Sequence, residues 1–108
     1  MNALWLKLKV WCIEGKLRRL LRGQGIKPNV WSFGAYYIDL KHMVFVVGVQ
    51  TDDETRRLRE DKSFLAELRG SLEGCAWPFE AREHVVFDIE SEETVKRDTN
   101  GNWWYHYK

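Results

Sequence analysis

Residues 99–108 read TNGNWWYHYK, and this aromatic end decides how the rest of the chain is assigned. An Asn-Gly pair between two strand-like runs is the strongest short signal for a two-residue hairpin, because both central positions of its turn need a positive φ. The flanking runs TVKRD and NWWYHYK therefore predict the last two strands of an antiparallel sheet. Alternation divides the rings between two faces, with Trp103, Tyr105 and Tyr107 on one and Trp104 and His106 on the other. One face can fill the core, and the other must be covered by a helix or left open to solvent or a partner.

Two further strand-like runs lie in the middle of the chain. VWSFGAYYIDL covers residues 30–40 and MVFVVGVQ covers residues 43–50, with a short polar break around DLKHM. Runs rich in β-branched and aromatic residues on either side of such a break predict a hairpin. Both faces of the first run are apolar, so we expect it to be central in the sheet. Residues 85–90 alternate as a half-buried strand.

The first segment is predicted to be a helix. Apolar residues recur at spacings of three and four from Leu6 to Leu20, which is the stripe of an amphipathic helix. Basic residues follow in its last turn, and Gly23 then ends it. Residues 4–10 also alternate as in a strand, but the helical pattern covers more of the segment.

The second helix is predicted over residues 51–74. Thr51 followed three residues later by Glu54 forms a capping box, and acidic residues in the first turn favour a helix N-terminus. Gly74 ends the helix. Its buried stripe is predicted to contain Leu58, Phe64, Leu65, Leu68 and Leu72.

These elements follow the order α-β-β-α-β-β-β in a single domain that covers residues 1–108. Two helices against an antiparallel sheet make a two-layer α+β sandwich. A chain of 108 residues buries roughly two-thirds of its unfolded surface, which is enough for a core without disulfides.

Composition and charge narrow the class of partner. Lys and Arg number 17 and Asp and Glu number 16, so the formal charge of +1 argues against a general nucleic-acid coat protein. No run approaches the roughly 20 apolar residues of a membrane span, and the lysines in MNALWLKLKVWCIEGK do not fit a signal peptide. Cys12 and Cys75 have no CxxC partner, so we expect free thiols in a reducing cytosol, and a cytoplasmic protein with no membrane contact.

No catalytic signature is present in the sequence. It contains neither GxxxxGK[ST] nor GxGxxG, and neither cysteine lies in a nucleophile motif. His42, His84 and His106 are scattered, without the spacing of metal ligands. We therefore expect a non-enzymatic protein with no cofactor and no metal.

An acidic cluster lies next to the aromatic end. The segment FDIESEETV carries four carboxylates whose capping role is not evident from the sequence. Acidic groups around exposed aromatic anchors would suit the binding of a basic protein, since the rings supply affinity and the charges speed encounter. A solvated turn beside a buried strand is the alternative. The predicted partner-binding residues are Asp88, Glu90, Glu92, Glu93, Trp104, Tyr105 and Tyr107.

The small size, the α+β order, the six tryptophans and the acidic-aromatic surface resemble the immunity proteins that bacteria pair with secreted or contact-delivered toxins. The resemblance covers the whole chain at the level of class, and no shared motif carries a site across. It implies a cytoplasmic inhibitor that binds one cognate toxin, which in such pairs is often a nuclease.

Three other functions stay open. One is an enzyme whose site is dispersed along the sequence, with His84 and His106 brought together by strands and completed by Asp88 or Glu83. The basic run GKLRRLLRGQGIK, with Arg18, Arg19, Arg22 and Lys27, suits a small nucleic-acid-binding regulator if an aromatic sheet face lies nearby, although nucleic acid is the less favoured partner. Exposed aromatic strands also pair with copies of themselves, so a homodimer is possible.

Overall fold

The computed structural model describes residues 3–107 and places five α-helices, one 3-10 helix and three strands within them. In chain order the elements are α1 (Ala3–Gly23), β1 (Asn29–Phe33), β2 (Val44–Val49), α2 (Asp52–Glu60), α3 (Lys62–Gly74), the 3-10 helix (Phe79–His84), β3 (Val86–Ser91), α4 (Glu92–Thr99) and α5 (Trp103–His106). The α+β class is confirmed. The predicted order α-β-β-α-β-β-β is wrong, because its last two strands are helices and its second helix is two.

The three strands form one mixed sheet in the order β1-β2-β3. β1 pairs with β2 antiparallel, as the predicted hairpin requires, whereas β2 pairs with β3 in parallel. The predictions of an antiparallel sheet and of a central first strand are therefore wrong. Residues 50–85 contain α2, α3 and the 3-10 helix, and this long connection returns the chain to the end of the sheet where β2 began.

The first strand is shorter than its sequence pattern suggests. It ends at Phe33, and residues 34–43 form a loop. Gly34 has φ +119°, and a Cβ added there would lie 2.1 Å from the carbonyl oxygen of His42. Only glycine fits this close approach of two backbone segments, so the chain leaves the sheet at this point.

The prediction of an N-terminal helix is confirmed by α1. Its buried side chains recur at helical spacing and, with side chains of α3, cover the inner face of the sheet to form the main core. Burying a large aliphatic side chain stabilises the fold by roughly 1.5–3 kcal/mol, so this stripe fixes the helix against the sheet. The buried residues of α1 are Leu6, Val10, Ile13, Leu17 and Leu21.

The predicted second helix is broken at Asp61. The capping box at its start is confirmed, since the Thr51 hydroxyl accepts from the Glu54 N–H and the Glu54 carboxylate accepts from the Thr51 N–H. Asp61 has extended backbone angles and caps two helices at once. Its N–H donates to the Leu58 carbonyl of α2, and its carboxylate accepts from the Phe64 N–H of α3. One residue that satisfies two helix ends, through its N–H for α2 and its carboxylate for α3, allows the bend.

A disulfide joins Cys12 of α1 to Cys75 at the C-terminal end of α3. The prediction of two free thiols is therefore wrong. No local signal brings the two residues together, because their separation of 63 positions is closed only by the packing of α1 on α3.

The C-terminal segment is helical, and the predicted hairpin is wrong. Asn100 adopts the left-handed conformation and Gly101 also has positive φ. The Gly101 N–H donates to the Val95 carbonyl and the Asn100 N–H to the Lys96 carbonyl, which is the Schellman ending of a helix. A type I′ hairpin turn needs positive φ at both central residues and this helix ending needs it at the residue after the last turn, so the Asn-Gly pair suits either.

α5 lies on the outer face of the sheet, opposite the main core. Val46 points to this face and is fully buried, although it does not belong to the main core. It pairs in register with Trp31 on one side and Asp88 on the other, and Tyr107 contacts both. The Tyr107 side chain therefore bridges the sheet across Val46 and holds the C-terminal segment in place.

Candidate functional site

Five aromatic side chains from two distant parts of the chain form one surface on the outer face of the sheet. We call it the aromatic face, and it consists of Trp31, Phe33, Trp103, Trp104 and Tyr107. The centroid of the Trp31 ring lies 5.4 Å from that of Tyr107 and 6.4 Å from that of Trp103, both nearly perpendicular. Such edge-to-face contacts are favourable beyond the area they bury.

Two hollows open on this surface. One, of about 160 Å³, is lined by Trp31, Phe33, Trp104 and Tyr107. The other is wider, about 400 Å³, and is lined by Asn29, Trp31, Trp103 and Trp104. Trp31 and Trp104 border both hollows, so the two lie side by side along the edge strand β1, and we call them together the recess.

Some rings of the C-terminal segment are half-buried against the sheet, and others are exposed at the surface. His106 and Tyr107 are half-buried against the sheet, as is Trp103. Trp104 and Tyr105 are 63% and 57% exposed, and their rings contact each other edge to face. Of the predicted anchors, Trp104 and Tyr105 thus lie at the surface, whereas Tyr107 is largely a structural contact.

Two predicted acidic residues lie on β3 and bind the C-terminal segment. Asp88 accepts a 2.6 Å hydrogen bond from the Tyr107 hydroxyl, and its other oxygen lies 3.9 Å from Arg59. The Glu90 carboxylate lies 3.1 Å from His106 Nε2 in a largely buried pair. Burial, reinforced by the Asp88 hydrogen bond, raises the pKa of Tyr107, so the phenol stays protonated and remains a donor.

The other two predicted acidic residues start α4. The Glu93 carboxylate accepts from the Asp52 N–H at 2.9 Å and so helps to cap α2. Glu92 is exposed in the first turn of α4. The structure therefore places all four carboxylates on β3 and the start of α4, and three of them make hydrogen bonds within the fold.

Asp52 forms the centre of a polar joint between α2 and α4. Its carboxylate accepts from the Ser91 and Thr94 hydroxyls and from the Arg97 guanidinium. These hydrogen bonds lower the pKa of Asp52 to about 2, because they favour its charged form. The joint fixes α4, which in turn leads the chain back over the outer face of the sheet.

Sequence reasoning missed three residues of the aromatic face, namely Trp31, Phe33 and Trp103. Alternation in β1 does place Trp31 and Phe33 on the same face, but nothing local shows that a segment 70 positions later covers that face. The signal for α4 was present, since Ser91 precedes two acidic residues and then two basic ones, as at the start and end of a short helix.

Arginine side chains donate hydrogen bonds to backbone carbonyl groups on both edge strands. Arg18 of α1 donates to the Val30 carbonyl of β1 at 3.2 Å, and Arg59 of α2 donates to the Ile89 carbonyl of β3. A blocked edge carbonyl discourages pairing with another strand. The contact of Arg18 also brings the basic end of α1 against the strand that carries Trp31.

A second exposed apolar surface lies on α1, on the side opposite its buried stripe. Four large side chains there are between 42% and 64% exposed, and the Lys7 ammonium lies 5.6 Å from the Trp11 ring centroid. They are Leu4, Trp5, Leu8 and Trp11.

Within residues 3–107 there is no group of three or more side chains arranged to hold a metal ion, and no helix there is long and apolar enough to cross a membrane. Comparison with protein-family models, with curated proteins and with solved structures found no match for this chain. The site must therefore be interpreted from its own chemistry.

Proposed function

We propose that the chain is a non-enzymatic protein-binding module that inhibits a cognate bacterial toxin, and that the aromatic face is its contact surface. The observation that carries the proposal is the exposure of Trp104 and Tyr105 beside the recess. Exposed Trp and Tyr residues around a concave apolar surface are the usual energetic centre of a protein interface. The resemblance to immunity proteins supplies the class of partner.

The four carboxylates take different parts in this proposal. Asp88 and Glu90 hold Tyr107 and His106, and so shape the aromatic face from below. Glu92 is exposed and suits electrostatic steering of a basic partner, which affects the association rate more than the final affinity. The cytoplasmic location stays a prediction.

Co-expression with the toxin encoded by the neighbouring gene tests the proposal. The wild-type chain should protect cells and bind the purified toxin domain. Trp104→Ala should weaken binding by about 2 kcal/mol or more, the usual cost of losing an anchor residue, whereas Trp11→Ala on α1 should leave binding unchanged. Absence of binding and of protection would refute the proposal.

A kinetic measurement tests the role of Glu92 separately. Glu92→Lys should slow association at low salt, and the difference should shrink as salt rises, because exposed charges are screened. Glu67→Lys, on the exposed side of α3, is the matched control. Equal association rates for both variants would exclude steering by Glu92.

A nucleic-acid-binding regulator is the second candidate, and the Arg18–Val30 contact favours it. That contact brings the basic end of α1 to the edge strand whose other face carries Trp31, and basic groups combined with exposed rings are used to bind single strands. This candidate predicts a steep loss of affinity for a single-stranded oligonucleotide as salt rises. A flat salt response would exclude it.

A further inference from the structure

We propose that the smaller hollow of the aromatic face, lined by Trp31, Phe33, Trp104 and Tyr107, receives the guanidinium group of an arginine side chain on the protein partner. The inference rests on the proposed protein-binding function and adds the chemistry of the group that is bound. The hollow of about 160 Å³ is of a size for one side chain, and all four of its walls are rings.

The walls of the hollow suit a cation. Aromatic rings attract cations through their electron-rich faces, and arginine is the residue found most often in such contacts. Tyr107 donates its hydroxyl proton to the Asp88 carboxylate at 2.6 Å. A phenol that donates to an anion gains electron density in its ring, so this wall attracts a cation more strongly than an ordinary tyrosine does.

The charges around the hollow also favour a cation. No Lys or Arg is among its lining residues, while Asp88 and Glu90 lie directly behind Tyr107 and His106. Arg59 approaches the Asp88 oxygen that Tyr107 does not use and also donates to a β3 carbonyl, so it offsets only part of this negative charge.

Arginine suits the hollow better than lysine does. A guanidinium group is planar and weakly hydrated, so it stacks on a ring at a lower desolvation cost than an ammonium group. Trp31 and Phe33 line the hollow with their ring centroids 5.5 Å apart and their planes tilted by 35°, so both rings are within reach of one guanidinium group.

The experiment compares two short peptides, Gly-Arg-Gly and Gly-citrulline-Gly, both with blocked ends. Citrulline has the shape of arginine but is neutral, so the pair isolates the charge. Each is titrated into the full chain while the indole N–H signals are followed by NMR. We expect the arginine peptide to shift the Trp31 and Trp104 signals and to bind on the order of fivefold more tightly than the citrulline peptide.

Two variants locate the binding. Trp104→Ala and Phe33→Ala should abolish the shifts, whereas Trp11→Ala should not alter them. Trp104 is 63% exposed, so its loss should leave the fold intact, which a thermal unfolding curve verifies. Equal affinity for the two peptides, shifts confined to other tryptophans, or binding of oligo-dT in the hollow without binding of the arginine peptide would each overturn the inference.

The two proposals fail in different ways. If the toxin binds through Trp104 but arginine and citrulline peptides bind equally, the arginine pocket is wrong and the protein-binding function stands. If the arginine peptide binds in the hollow but the toxin neither binds nor is inhibited, the pocket stands and the choice of partner is wrong.

Discussion

Removing the Cys12–Cys75 disulfide should destabilise the protein mainly by freeing its unfolded state. The bond closes a loop with a sequence separation of 63 residues. The chain-entropy relation gives about 4 kcal/mol at 25 °C for a loop of this length, and native disulfides typically contribute 2–4 kcal/mol. We therefore expect the double variant Cys12→Ser, Cys75→Ser to lose about 2–4 kcal/mol, a large part of the 5–15 kcal/mol of an ordinary domain.

The native state should change little in this variant. α1 is also held by its five buried apolar side chains, so its position does not depend on the bond. Most of the loss should then come from the greater freedom of the unfolded chain, and the denaturant dependence should steepen because that chain becomes more expanded.

Urea unfolding at pH 7, followed by circular dichroism, measures the effect. Wild type is compared with and without a reductant, and the double variant serves as the matched control, since reductant should not change its midpoint. A destabilisation below about 1 kcal/mol would contradict the entropic argument. Two thiols that react in the native, unreduced protein would contradict the disulfide itself.

Three further predictions concern the polar joint, the bridge across the sheet and the loop after β1. The pKa of Asp52 is lowered to about 2. The contribution of Asp52 to stability is therefore complete above its unfolded pKa near 3.9 and is lost as the pH falls towards 2. Asp52→Asn should flatten the acid limb of a plot of urea midpoint against pH. The raised pKa of Tyr107 means that its contribution to stability is complete below about pH 10 and is lost as the pH rises further. Tyr107→Phe should therefore cost about 1–2 kcal/mol at pH 7 and weaken the loss of stability at alkaline pH. Identical alkaline limbs for wild type and variant would refute this role of Tyr107. Gly34→Ala should cost about 1–3 kcal/mol of stability because its Cβ would strike the His42 carbonyl. The control Gly70→Ala in α3, where an added Cβ meets nothing, should be neutral or stabilising by up to about 1 kcal/mol. Equal unfolding midpoints for the two variants would refute the clash.

Trapping the thiols in living cells tests the predicted location. Disulfides persist in oxidising compartments and are rare in the reducing cytosol, so the bond weighs against the cytoplasmic prediction. If the protein is located outside the cytosol, Cys12 and Cys75 should not react with the alkylating reagent, because they form the disulfide. Full alkylation in cells, with a disulfide only in the purified protein, would support a cytoplasmic location.

Local signals predicted the helices with a buried stripe and a cap. The stripe from Leu6 to Leu17 and the capping box of Thr51 and Glu54 each involve residues within a few positions of one another, so the sequence shows them directly, although the stripe ends at Leu21 and not at the predicted Leu20. The break at Asp61 is less visible, because a single aspartate that caps two helices resembles any polar residue on the exposed side of one.

Features that depend on distant contacts were not accessible in this way. The parallel pairing of β2 with β3 depends on how α2 and α3 pack, and the disulfide depends on α1 lying against α3. The Asn-Gly pair fits two structures, and the choice between them is made by the helix that precedes it. That helix is fixed by the Asp52 joint, which lies some 40 positions earlier in the chain.

The candidate site also divides into features set by local sequence and features set by distant contacts. Sequence reasoning found the acidic and aromatic residues of β3, α4 and α5, and the structure brings Asp88 to Tyr107 and Glu90 to His106. It could not foresee that these pairs would use the carboxylates within the fold.

The C-terminal segment has two roles that a simple truncation would confuse. Tyr107 and His106 bind Asp88 and Glu90 of β3, so they stabilise the fold, whereas Trp104 of α5 lies at the surface. Trp104 and Tyr107 both line the smaller hollow, but Tyr107 is half-buried against the sheet whereas Trp104 is 63% exposed, so function and stability separate at single residues. Replacing Trp104 should therefore change binding without changing the unfolding midpoint, and replacing Tyr107 should change both, since it alters the fold and one wall of the hollow together.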